Sequence, residues 1–167
     1  MSTSPEPTTA RPSIRITAPE GWFFKESYTV LSPDGKANVI ASSEPLDPSL
    51  NAYDYARQQS DLISAEFTGL IRRHDLEPYF VEGVKDTAWL SEFSWAPRDS
   101  DPVTQIQVYA ARPGRGFTAT ATARTADLEA YRRVLSDVLT SLIVDEEAAD
   151  EAATAVEQSR HESVSAP

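Results

Sequence analysis

Three stretches of two-residue alternation, separated by proline- or glycine-bearing turns, constrain this chain most. Residues 86–95 set Trp89, Ser91, Phe93 and Trp95 against Ala88, Leu90, Glu92 and Ser94. Residues 104–109 set Gln105, Gln107 and Tyr109 against Ile106 and Val108, and residues 117–123 set Phe117 and alanines against three threonines. Side chains two apart share a strand face, so these segments predict an antiparallel meander turning at residues 97–102 and 112–116. The middle strand is the most informative. Ile106 and Val108 suit a core, while two amides and a phenol on the other face suit polar contact.

The flanking segments carry other periods. Leu128, Tyr131, Leu135, Val138 and Leu142 recur at steps of 3, 4, 3 and 4, the stripe of a helix packed on a core, with Thr125 as its candidate N-cap. An earlier helix is expected from Asn51 to about Glu66, with Asp54 completing a short relative of the capping box. Its moderately apolar face is Ala52, Ala56, Gln59, Ile63 and Phe67, with Gln58 alongside. Before it come short strands at residues 14–17, 28–31 and 37–42; Ser32-Pro33-Asp34-Gly35 forms the hairpin turn between the last two. Residues 70–80 read as an irregular strand interrupted by Pro78. Trp22 and the Trp89, Phe93 and Trp95 face are expected in the core.

This order predicts one α+β domain, an antiparallel sheet of about six to seven strands packed with two amphipathic helices. Periodicity leaves open whether the helices share a sheet face. The domain is expected over residues 13–144, between a flexible Pro/Thr-rich head at 1–12 and a disordered acidic tail at 145–167. That tail holds seven carboxylates against Arg160. It has too little apolar surface to offset the entropy of ordering.

Charge and composition narrow the function. A formal net charge of -11 with scattered Lys and Arg argues against a nucleic-acid partner. With no cysteine and two distant histidines, neither a thiol site nor structural zinc is expected. The opening residues lack the basic and apolar regions of a signal peptide, and no run nears the ~20 apolar residues of a spanning helix, so a cytoplasmic protein without stable membrane insertion is expected. His74 beside Asp75 is no acid–base pair, because neighbours on a strand point to opposite faces. No nucleophile, metal-ligand or glycosidase pattern occurs, so the expected catalytic residues, metal and cofactor are none.

Five segments in sequence carry a family resemblance. They are Ala18-Pro19-Glu20-Gly21-Trp22, residues 38–46 from Asn38 through Ile40 to Leu46, Tyr55-Ala56-Arg57-Gln58, residues 89–95, and Gln105-Ile106-Gln107-Val108-Tyr109. Together they resemble the DcrB-related family, which has a PsbP-like architecture and includes the Eag chaperones of type VI secretion effectors. The resemblance implies a cytoplasmic homodimer whose sheet face shields the hydrophobic N-terminal helices of a toxin effector before export. It places Gln58, Gln105, Gln107, Tyr109 and Ile40 at the client-binding surface. The head and acidic tail depart from typical members and leave the secretion machine open, type VI or a related contractile injection system. Alternation alone is equally the pattern of a solvated strand face. The alternative is a PsbP-like, non-catalytic module that binds a folded cytosolic partner.

Overall fold

The computed structural model describes residues 17–22 and 25–144. The predicted head, the tail and most of the strand at 14–17 lie outside the described residues. Within them the elements run β1 (Glu26–Leu31), β2 (Ala37–Pro45), α1 (Ala52–Glu66), β3 (Ile71–Tyr79), β4 (Ala88–Trp95), β5 (Val103–Arg112), β6 (Arg115–Arg124) and α2 (Leu128–Thr140). The six strands form one antiparallel sheet in the order β1-β2-β6-β5-β4-β3. The expected α+β architecture is therefore present.

Turn chemistry closes the hairpins where the sequence predicts them. Ser32 and Gly35 are joined by a 2.9 Å backbone bond, with Gly35 at φ 69°. Gly114, at φ 83°, closes the turn between β5 and β6. In α1 the capping box is complete: Asn51 Oδ1 accepts from the Asp54 N–H at 2.9 Å, and the Asn51 N–H donates back to Asp54 at 3.3 Å. Thr125, by contrast, does not cap α2. The helix begins after Asp127 with no side-chain cap, and Thr125 Oγ1 lies 2.9 Å from Thr104 Oγ1. The Thr104 hydroxyl is fully buried and needs a partner, and Thr125 supplies it.

The helices lie on opposite faces of the sheet. α2 packs against β6 and β2, burying Leu128, Leu135 and Leu139 among Val39, Ile106, Val108, Ala119 and Ala121. Each of the three leucines contributes about 1.5–3 kcal/mol relative to exposure. Tyr131 donates to the carboxylate of Asp34, which ties α2 to the β1–β2 turn and, with Ser32, holds the Asp34 pKa down to about 2. α1 packs on the other face against β5, β4 and β3, over Tyr109, Ala111 and Trp89. Phe93 is fully buried there, and Phe67 stacks beside it and Trp95 at centroid distances of 6.4 and 4.7 Å. The aromatic strand is thus core. Trp22 is not, being 74% exposed in a turn whose backbone bonds back to Pro19 at 3.2 Å.

After α2 the chain is clasped to the 81–84 loop. Gly83 donates to the Leu142 carbonyl at 3.3 Å and accepts from Val144 at 3.4 Å. A Cβ on Gly83 would stand 2.4 Å from the Ile143 Cα, which is backbone and cannot rotate aside. Gly83→Ala is therefore expected to cost about 1–3 kcal/mol in urea unfolding, from overpacking at this clasp.

Candidate binding surface

Opposed residues of an antiparallel pair point to the same face, so the strand register gives rows of side chains across the α1 side. One row runs Phe93, Gln105, Thr122, Asn38, Leu31; the next runs Ser91, Gln107, Thr120, Ile40, Thr29; the third runs Trp89, Tyr109, Thr118, Ser42, Ser27. Each row starts beneath α1 and emerges from it. Among the described residues no element covers the β6-β2-β1 half beyond its end at Gly116, Thr118 and Glu44, where Tyr55 and Gln59 of α1 reach over it. Its surface is rich in hydroxyls, with Ile40 and Leu31 as apolar points at 40% and 66% exposure.

The five residues singled out in the sequence do not all reach this surface. Ile40 lies on it, and Gln105, half-buried on β5, borders it beside Thr122. Tyr109 is fully buried and Gln107 is 7% exposed, both on the α1 side, so the expectation that their strand face stands open for polar contact is corrected. Tyr55, Ala52 and Ala56 of α1 cover that part of β5. Gln58 is exposed on α1, off the stripe that packs on the sheet.

The buried pair has a different use. Tyr109 donates its hydroxyl proton to Gln107 Oε1, Gln107 Nε2 donates to Gln105 Oε1 at 3.3 Å, and Gln105 Nε2 donates to Thr122 Oγ1 at 3.2 Å. Every bond in this relay points outward, from the core to the open half-face. Burial pushes the Tyr109 pKa up, so its hydroxyl stays a donor. An amide has two N–H donors. With its carbonyl accepting from Gln107 and one N–H given to Thr122, Gln105 keeps a second donor for a ligand. Thr122, as an acceptor in the relay, keeps its own proton to give. Beside it in the row, Asn38 Oδ1 is buried with no hydrogen-bond partner.

One wall of the open half is the flank of α1 that carries Tyr55 and Gln59. Gln59 Nε2 donates to Glu44 at 3.0 Å, and the Tyr55 hydroxyl donates to the same carboxylate at 2.8 Å while lying 2.9 Å from Thr118 Oγ1. Leu62, one turn beyond Gln59, is 62% exposed. Gln59 beside Gln58 was legible as a helix amide near this face, whereas Leu62 and the threonines of β6 belong to this surface although the sequence did not single them out. The helical period carries a signal for Leu62, an apolar residue off the core stripe.

His74 and Asp75 are separated as expected. The strand is bulged on either side of His74, whose Nδ1 lies 2.9 Å from Glu77 Oε1, while Asp75 faces Arg57 and Arg72. Among the described residues no group of His, Asp and Glu is placed to hold a metal ion. No described helix is long and apolar enough to cross a membrane.

No family model matches the chain, and no curated protein matches it. Among solved structures it is similar to PA94 from Pseudomonas aeruginosa, a protein of unknown function described as a putative regulator. The TM-score is 0.63 with 18% identity, covering 77% of this chain and 89% of that one. It also overlaps LpqN of Mycobacterium tuberculosis, involved in cell envelope biogenesis, at a TM-score of 0.47 and 16% identity, over 65% of this chain and 62% of that one. At these identities the PA94 likeness establishes the fold alone, and the LpqN overlap is too loose to carry an argument.

Proposed function

We propose that this chain is a cytoplasmic, non-catalytic chaperone or adaptor that shields the hydrophobic N-terminal helices of a secreted toxin effector before loading onto a type VI or related contractile injection system. The observation that carries this reading is the uncovered β6-β2-β1 half-face, beside α1 and supplied with oriented donors by the Tyr109–Gln107–Gln105–Thr122 relay. An apolar helix held in water must have its surface covered. Helices in membranes are met by small and hydroxyl side chains that allow close approach and supply hydrogen bonds. Threonines with Ile40, Leu31 and Leu62 at their margins reproduce that mixture. Gln107 and Tyr109 then act as positioning residues that fix the Gln105 amide.

The hydroxyl-rich character of the same surface favours a second reading, a non-catalytic module for a folded cytosolic partner. Such a partner would bind without an exposed apolar helix. The two separate on copurification with the apolar N-terminal fragment of a secreted protein encoded beside this one. Gln105→Ala is expected to weaken that capture by about three- to tenfold, the loss of one hydrogen bond of ~0.5–1.5 kcal/mol, with the circular dichroism unchanged. Capture undiminished by Gln105→Ala would remove this amide from the site.

A further inference from the structure

α2 covers its side of the sheet only in part. The helix lies over β6 and β2, so β3 and β4 stand beside it, and the register sets His74, Glu92 and Ile106 in one row on that face and Glu77 and Leu90 in the next. Two polar bridges cross from strand to helix. At one end Arg132 meets Glu92 with two bonds of 3.0 Å, and at the other the Tyr79 hydroxyl lies 3.1 Å from both Ser136 Oγ and Thr140 Oγ1. Between the bridges runs a cleft of about 290 Å³, at the lower end of the range for small-molecule sites. Its floor is Leu90, Ile106 and Leu139. Arg132, Ser136 and Leu139 fall at steps of 4 and 3, so one flank of α2 makes the wall.

The charged groups that line this cleft are already matched. Glu92 holds Arg132, whose Nε also donates to Glu129 at 3.3 Å, and His74 Nδ1 lies 2.9 Å from Glu77 Oε1. An entering ion would have to disturb one of these pairs. Neutral hydrogen-bonding capacity, by contrast, is left over. A carboxylate only accepts, so His74 Nδ1 is the donor of its pair and Nε2 of the neutral ring is an acceptor. Across the cleft, Tyr79, Ser136 and Thr140 have one hydroxyl proton each and two bonds among them, which leaves one proton to give.

We infer that this cleft is a binding site for a small neutral molecule with an apolar ring face, a donor at one end and an acceptor at the other. The ring lies on Leu90, Ile106 and Leu139. Its donor meets His74 Nε2, and its acceptor takes the spare proton of the Tyr79–Ser136–Thr140 group. A matched pair at each end leaves no net charge to attract an ion, so the selectivity is for neutrality as well as shape. The inference is independent of the client reading, because the cleft and the surface that holds Ile40 are on opposite faces of the sheet.

Three probes that share a ring and differ in charge test it: neutral 4-hydroxybenzamide, anionic 4-hydroxybenzoate and cationic 4-hydroxybenzylamine. They are titrated into the full, methyl-labelled chain at about pH 7.5, above the usual histidine range. The neutral probe is expected to shift the NMR signals of Leu90, Ile106 and Leu139 at about millimolar concentration, the affinity of a ligand of ~10 heavy atoms. Ile40 and Leu62, on the other face, should stay in place. Each charged probe should need about tenfold more, since it disturbs a matched pair. Ser136→Leu, which carries a branched chain into the cleft, should abolish the shifts. His74→Phe keeps a ring, removes the acceptor and should weaken binding about three- to tenfold; at an exposed strand position it decides even if Ser136→Leu fails to fold. A neutral probe that moves nothing at about 10 mM, or moves Ile40 and Leu62 as much as the cleft methyls, overturns the inference. So does equal or tighter binding of either charged probe, or undiminished binding by His74→Phe.

Discussion

Gly116→Ala is expected to destabilise the domain by about 2–3 kcal/mol, an unusually large effect for one added methyl group. A Cβ there would lie 2.7 Å from two carbons of the Tyr55 ring. Real side chains do not approach so closely, and the ring has no room to yield. Tyr55 is 2% exposed, stands edge-on to Tyr109 at 6.2 Å, and has its hydroxyl fixed between Glu44 and Thr118. Moving it would lift α1 from β5 and β6, uncovering the relay beneath. Chemical unfolding measures the cost, and a change below about 0.5 kcal/mol, the range of ordinary surface substitutions, would show that Tyr55 can be displaced freely.

Arg132→Ala is expected to cost about 2–3 kcal/mol. Glu92 is 3% exposed on the α2 side, and Arg132 meets it with two parallel bonds of 3.0 Å. Removing the guanidinium strands a buried carboxylate, an error of ~3–5 kcal/mol for a fully enclosed pair, reduced here because the Arg132 side chain is 39% exposed. Replacing both groups together, as Glu92→Met with Arg132→Leu, should recover most of the loss, since no charge is then left alone. The pair also sets a pH dependence. Hydrogen bonds from Arg132 hold the Glu92 pKa below its ordinary value in the folded state. The stability this adds is fully present above the unfolded glutamate pKa of about 4.3 and is lost as pH falls through the lower folded value. Acid unfolding of Arg132→Ala should lack that contribution, and an acid limb identical to wild type would contradict the assignment.

These two sites show what the sequence could and could not disclose. The alternation of residues 104–109 made Gln105, Gln107 and Tyr109 one face and Ile106 and Val108 the other, and both statements hold in the sheet. Period two does not say what lies opposite a face, so α1 over Tyr109 and Gln107 was not legible. The same holds for Gly116. Its turn and strand were readable, but its reason for being glycine is a tyrosine ring 61 positions earlier in the chain. The Glu92–Arg132 pair joins residues 40 apart and leaves no local pattern. Local signals succeeded where local chemistry decides, as at the Asn51 box, the Ser32–Gly35 turn and the α2 stripe. Thr125 and Trp22 had the right residue types for a cap and a core plug. A buried hydroxyl at Thr104 claimed the first, and the second sits in the turn after Pro19 with its ring in solvent.

The proposed function turns on whether the half-face beyond α1 holds an apolar helix. The most direct measurement is detergent-free copurification of a secreted protein's apolar N-terminal fragment with wild type and with Ile40→Asp/Thr120→Lys, which sets two charges in one row of the open surface. Wild type should keep the fragment soluble and bound, and the folded double variant should lose it. Equal capture by both, or none by wild type, would contradict the account.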